Sequence, residues 1–289
     1  MKILVTGCNG YIGSHVCQSL KKSGHNVVGW DIDVYREHNN VLPFLDSFEH
    51  IDVTTNLTKQ GYFDAVVHLA GLVSVEQSTK QPWQYYHTNV FGTKNVVSNI
   101  STDHFLFAST ASAWEMASPY AKSKVAAEDV IKQFTNDYTI FRFFNVSGTA
   151  GQFKQLGPAT HLIRVAAEVA AGKRSSITVF GTDYNTHDGT CVRDYVHVED
   201  LAQAITHAVS QSPARTPYEC LGSKHGYSVL EVLDAMRKVT KHPVPAKTGN
   251  RRAGDAVCSV PKEVSTLIKL TRSLEDMCLS QYLLEMSQQ

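Results

Sequence analysis

Tyr120 and Lys124 stand four positions apart, ten residues beyond the Ser109-Thr110 pair. On a helix, residues i and i+4 share one face, so this spacing brings a phenol and an ammonium together. A neighbouring ammonium favours the phenolate and draws a tyrosine down from about 10 towards the range of a general base. The Thr110 hydroxyl would then hold the substrate oxygen whose proton the phenolate takes. A Tyr-x-x-x-Lys spacing is common by chance, so its weight depends on what precedes it in the chain.

What precedes it is a short apolar run, Lys2 to Thr6, followed at once by Gly7-Cys8-Asn9-Gly10-Tyr11-Ile12-Gly13. Ser14 to Ser23 reads as a helix with Val16 and Leu20 on one face. Glycines at this spacing allow a tight strand-to-helix turn, close approach of a pyrophosphate and close packing of helix on sheet. The helix N-terminus adds unpaired N–H groups for phosphate oxygens. A second apolar run, Asn26 to Trp30, ends in Asp31. That acid suits the adenine ribose hydroxyls and repels an extra 2′-phosphate, so the expected cofactor is NAD and not NADP.

Composition narrows the remaining classes. A chain of 289 residues can bury one large core or two smaller ones, and its formal charge is zero. No lysine or arginine run points to nucleic acid or an anionic membrane. The six cysteines are scattered without a Cys-x-x-Cys pair, which fits buried thiols in a reducing, cytoplasmic compartment. Thirteen histidines form no ligand-spaced cluster, and no metal site is expected. The first strand starts at residue 2, where a leader would lie, and the longest apolar stretch, Leu162 to Gly172, contains Arg164 and Glu168. No membrane span is expected.

The elements needed to position these groups follow from the hydrophobic pattern. Strands are expected at 2–6, 26–30, 65–69, 104–108 and 139–143, with helices near 12–23, 82–99 and 119–136. This alternation predicts an α/β, Rossmann-type, doubly wound parallel sheet. Ligand-binding groups should sit at carboxyl ends of strands, as His68 to Gly71, Phe107 to Thr110 and Arg142 to Asn145 do. Ser118 reads as the cap and Pro119 as the first turn of the Tyr120 helix. Residues 1–145 are expected to form an NAD-binding domain, with 195–222 returning to it. Residues 146–289 should form a smaller part that holds substrate.

With these residues in view, the chain resembles the extended short-chain dehydrogenase/reductases, and within them the UDP-hexose 4-epimerases. The matching stretches are Thr6-Gly7 to His15, His68 to Gly71, Tyr85 to Thr93, Ser118 to Lys124 and Arg142 to Asn145. More specific are Phe180 to Tyr184, Asp188-Gly189-Thr190, Val192 to Val198 and Arg251 to Asp255. The resemblance implies an isomerase that interconverts UDP-glucose and UDP-galactose by transient oxidation at sugar carbon 4 with tightly bound NAD. It assigns Tyr120, Lys124 and Thr110 to catalysis. It assigns Gly7, Gly10, Tyr11, Ile12, Gly13, Asp31, Asp52, Val53, Leu69, Ala70, Gly71, Asn89, Ser109 and Phe143, with Tyr120 and Lys124, to NAD. The UDP-sugar falls to Ser112, Asn145, His161, Leu162, Phe180, Arg193, Arg252 and Asp255, with Thr110 and Tyr120. Two arginines suit a diphosphate on independent physical grounds.

The resemblance further implies a homodimer paired through the helices near 82–99 and 119–136. It places a small residue, Ser259 or with a one-residue gap Cys258, beside the sugar 2-substituent, which leaves room for the N-acetylated UDP-hexosamines. Departures from the family pattern are Val73, Ile32, Arg164 and a short 110–120 segment; the cofactor site is expected to survive them with weaker affinity for NAD. Three other readings share the scaffold. A 4,6-dehydratase needs an acid pair after the threonine, where Ala111-Ser112 stand. A 4-keto reductase would prefer NADP, which Asp31 disfavours. A catalytically silent NAD-binding protein would have no need of Tyr120, Lys124 and Thr110 together.

Overall fold

Parallel strands buried on both faces read as unbroken apolar runs, and the amino-terminal strands of this chain follow that rule. Ile3, Leu4 and Val5 are wholly buried, as are Ala65, Val66 and Val67. The computed structural model describes residues 1–32, 41–58, 61–155, 157–211, 218–252 and 255–288. It divides into two compact units, Met1–Phe143 with Ala202–Cys220, and Phe144–Leu201 with Leu221–Gln289.

The first unit is built on a seven-stranded sheet in the order Tyr218–Leu221, Tyr138–Phe143, Phe105–Thr110, Ala65–His68, Lys2–Thr6, Asn26–Asp31, Ser47–His50. Pairings from Tyr138–Phe143 across to Ser47–His50 are all parallel. Counted in chain order the sheet strands run 3-2-1-4-5-6-7, so the order reverses beside Lys2–Thr6, where such sheets bind ligands. This is the Rossmann-type α/β fold expected, with each anticipated strand displaced by two residues at most. Ser47–His50 was not anticipated, because a partly exposed edge strand with one apolar residue carries no pattern.

Helices flank this sheet. Tyr11–Lys22 and Pro119–Phe134 are continuous, but the helix expected over 82–99 is three pieces: Pro82–Tyr86, a π-helical turn His87–Phe91, and Gly92–Asn99. The wider turn carries Asn89, which is buried. Such π turns recur at functional sites because they re-aim a side chain without ending the helix. Leu4, Trp30, Val66, Val96, Phe105, Phe107, Ile131 and Ile140 pack into one core that joins strands to helices.

In the second unit, Val192–His197 pairs antiparallel with Gly226–Ser228 and parallel with both Cys258–Ser259 and Asn145–Ser147. Ile177–Phe180 pairs parallel with Ala246–Gly249. Helices Leu162–Ala170, Val229–Thr240 and Leu274–Ser287 close over Ile163, Val169, Leu233, Met236, Met277 and Cys278. The last two helices begin with reciprocal caps, Ser228 with Glu231 and Ser273 with Asp276. Among the described residues no helix is long and apolar enough to cross a membrane. None of them forms a cluster of three metal-ligating side chains.

One buried polar chain in the first unit has a measurable consequence. The Thr93 hydroxyl donates to the Asn89 carbonyl at 2.6 Å, so it accepts from His68 Nε2 at 3.0 Å. His68 Nδ1 is then the acceptor for the Thr6 hydroxyl at 2.6 Å. Burial holds His68 down at about 3, and nearby Lys124 pushes the same way. The unfolded chain therefore takes up this proton near 6.5 while the folded chain resists it, so stability rises with pH between about 3 and 6.5. His68→Asn should flatten the dependence of the urea midpoint on pH across that window; an unchanged slope would show that His68 already titrates normally.

Candidate active site

The glycine turn is closed by sterics. Gly7 has φ +70°, and a Cβ there would lie 2.8 Å from the Ala70 nitrogen. A Cβ on Gly13 would lie 2.0 Å from the Gly7 carbonyl oxygen. Both positions therefore need glycine, one for backbone conformation and one for close helix–strand packing. The Tyr11–Lys22 helix starts at Gly10 with no side-chain cap. Asp31 ends the second strand, and its carboxylate accepts from the Asn9 and Ile32 amides at 2.8 Å each. The acid thus lies against the glycine turn, and a cradle of this shape fits a dinucleotide.

Further along the same strand ends, Leu69 donates to the Thr6 carbonyl and Ala70 to the Thr6 hydroxyl. Asn89 ties this loop to the helix behind it. Its Oδ1 accepts from the Leu72 amide at 2.8 Å, and its Nδ2 donates to the Leu72 carbonyl and to the Ser123 hydroxyl. Asp52 caps its own turn through the Thr54 amide and hydroxyl, and Val53 is buried. Phe143 is buried and stacks on Phe141. Val73 is two-thirds exposed.

Ser118 caps the Pro119–Phe134 helix by accepting from the Ala121 amide, with Pro119 at the first turn, as the sequence indicates. This start sets Tyr120 and Lys124 one turn apart. The Thr110 side chain draws the Tyr120 phenol downward in pKa, and the Tyr120 ring meets Tyr85 edge-on at 6.4 Å. Thr110 also accepts from the Ser112 amide at 3.2 Å, which turns the chain as it leaves the strand. Lys124 is buried with Nζ 4.2 Å from the centroid of the Phe107 ring.

The electrostatics overturn one expectation. Tyr120 was expected below 10, but burial pushes it up to about 12 against the opposing pull of Thr110. Burial likewise brings Lys124 down to about 7, opposed by Glu128. Desolvation penalises each charged form, so the i, i+4 spacing alone does not produce a phenolate. In this state Tyr120 keeps its proton.

The second unit gathers a different set. Arg252 pairs with Asp255 at 2.9 Å and lies over the Phe180 ring, 4.8 Å from its centroid. Arg193 donates to the Val192 carbonyl, and Asn145 Nδ2 donates to the Asp194 carbonyl at 2.8 Å. His161 caps the start of Leu162–Ala170 without a side-chain bond. Ser259 is in register with Arg193, and Cys258 with Val192. Ala253 and Gly254 of the Arg251–Asp255 stretch lie outside the described residues. Arg251 pairs with Asp183 at 2.7 Å and covers the Tyr184 ring, joining two motifs distant in sequence.

Sequence reasoning missed Glu128. It is 1% exposed and accepts from the Ser109 hydroxyl and, through both oxygens, from Arg142. The available signal was an acid one helical turn beyond Lys124, which reads equally well as a solvated position.

A doubly wound sheet with a glycine turn, an acid-ended second strand and a Tyr–Lys–Thr cluster defines a class of dinucleotide-dependent enzymes. The NAD dependent epimerase/dehydratase family profile matches residues 3–220, and the chain belongs to that family. It is 34% identical over 289 residues to the UDP-glucose 4-epimerase of Halalkalibacterium halodurans, a match covering 88% of this chain and 85% of that one. Among solved structures, it superposes on the UDP-glucose-4-epimerase of Stenotrophomonas maltophila with bound NAD and formylated UDP-arabinopyranose. That TM-score is 0.89 at 30% identity, covering 100% and 98% of the two chains. The UDP-glucose 4-epimerase of Bifidobacterium longum in complex with NAD+ and UDP gives 0.84 at 27% identity, covering 100% and 98%.

Proposed function

We propose that this protein is an NAD-dependent UDP-hexose 4-epimerase that interconverts UDP-glucose and UDP-galactose. The observation that carries the reading is the placement of Tyr120 one helical turn from buried Lys124, with Thr110 at the neighbouring strand end acting on its phenol. NAD held at this site would supply reversible hydride transfer at sugar carbon 4. Gly7, Gly10, Tyr11, Ile12 and Gly13 would cradle its pyrophosphate, and Asp31 would take the adenine ribose. Asp52 and Val53 would hold the adenine, while Leu69, Ala70, Gly71, Asn89, Ser109 and Phe143 would bind the rest of it.

Thr110 holds the 4-hydroxyl oxygen, and Tyr120 takes its proton and gives it back. The resting phenol must first lose its proton to solvent; Tyr120 then acts as phenolate in the first half of the turnover, and the phenol so formed returns the proton in the second. Lys124 holds the nicotinamide ribose. Arg193 and Arg252 grip the diphosphate, and Asn145, His161, Leu162, Phe180 and Asp255 hold the uridine end, with Ser112 beside the sugar. Firm binding of the nucleotide leaves the flat keto sugar free to turn over between the two hydride steps. We assign the reaction to galactose metabolism in the cytoplasm; six free cysteines, four of them buried, support a reducing compartment.

Purified protein incubated with UDP-galactose and no added NAD should produce UDP-glucose. Tyr120→Phe should leave the circular dichroism spectrum unchanged and lower turnover by about a hundredfold or more. A keto-deoxy sugar product would instead mean a dehydratase, and bound NAD without product a silent relative.

An exposed aromatic stripe supports a reading of the assembly. Trp83 lies tilted against His87 at 5.7 Å, His87 stacks on Phe91 at 5.4 Å, and Trp83 is 73% exposed. Phe134 is also exposed on the Tyr120 helix, whereas Ile131 lies in the core. We assign this surface to a twofold homodimer. Light scattering at micromolar concentration should give twice the chain mass, and Trp83→Glu with Phe91→Glu should halve it.

Substrate breadth rests on Cys258 and Ser259, which are small and paired with Val192 and Arg193 in turn. We expect the N-acetylated UDP-hexosamines to be interconverted with kcat/KM within about a hundredfold of the plain hexoses. Ser259→Tyr or Cys258→Tyr should widen that gap; a larger gap untouched by both variants would exclude the pocket.

A further inference from the structure

Ser109, Glu128 and Arg142 form a buried cluster for which neither the catalytic trio nor the NAD contacts give Glu128 a role. Glu128 accepts from Ser109 through Oε1, from Arg142 Nε at 3.1 Å and from Arg142 Nη2 at 2.7 Å. Arg142 in turn lies against the Tyr218 and Trp114 rings, 4.6 and 5.0 Å from their centroids. The guanidinium is therefore held on its faces by aromatics and at its edge by the carboxylate, a fixed geometry for the pair.

We propose that Glu128 is a positioning residue, a carboxylate locked by Arg142 that orients Ser109 and sets a negative charge one helical turn from Lys124. The inference rests on the function proposed above. Ser109 spends its only hydroxyl proton on Glu128, so its oxygen faces the strand end as an acceptor. Arg142 sits on the next strand in register with Ser109, so one carboxylate bridges two strand ends and the helix that carries Tyr120. A buried ion pair is poor value for stability alone, since apolar residues of equal size commonly do as well. Its value here is electrostatic. Burial strips Lys124 of its proton at about 7, and Glu128 is the charge that opposes this.

The test reads Lys124 directly, by NMR of lysine labelled at the side-chain nitrogen, with the resonance assigned from Lys124→Arg. In Glu128→Gln the Lys124 titration should fall by about one pH unit or more. Arg142→Gln should move it the opposite way, because the carboxylate then faces Lys124 without a competing cation. With UDP-galactose, Glu128→Gln should lower kcat at least about tenfold and leave KM within about twofold, since the nucleotide is held by other residues. Where a single variant does not fold, Glu128→Gln with Arg142→Gln removes both charges of the ion pair together and should still lower the titration. A Lys124 titration unmoved in folded variants, or a loss confined to KM, overturns the proposal. Wild-type protein that titrates as stated but does not epimerise would overturn the assigned reaction and leave the positioning role intact.

Discussion

A row of buried hydrogen bonds, Thr6 to His68 to Thr93 to Asn89 to Ser123, is the constraint on which the rest of the first unit depends. It joins the first strand, the fourth sheet strand, the π-turn helix and the Tyr120 helix in a single path. Every member is wholly or nearly wholly buried, so each unpaired group would carry the full cost of lost solvation. Satisfied throughout, the row admits one register between sheet and helices. The loop of Leu69 to Leu72 and the face that carries Tyr120 and Lys124 inherit that register.

The candidate residues of the two units are held by different physics. In the first unit the backbone dominates: strand ends, a glycine turn without room for a Cβ, and amides aimed by local hydrogen bonds. In the second unit charged and aromatic side chains dominate. Arg252 on Phe180 with Asp255, and Arg251 on Tyr184 with Asp183, form two stacked ion pairs. These arginines are largely exposed, so their ion pairs add little to stability.

Burial also separates geometry from reactivity. Tyr120 and Lys124 share a helix face as their spacing requires, yet each is pushed towards its neutral form. The charge that opposes this for Lys124 comes from Glu128 in the same helix, which Arg142 holds from a strand that follows it.

The sequence by itself determined the fold class and most first-unit elements, because unbroken apolar strands, a glycine turn and a capped helix are local signals. It also picked out Tyr120, Lys124, Thr110 and Asp31 through spacing and the elements that flank them. Only the tertiary structure decided the π turn at His87–Phe91, the edge strand Ser47–His50, the neutral relay through His68 and the Glu128–Arg142 pair. Each of these depends on partners far apart in the chain or on desolvation. A pattern of residue types encodes which groups lie on one face; it does not encode how much water those groups lose when the face is covered.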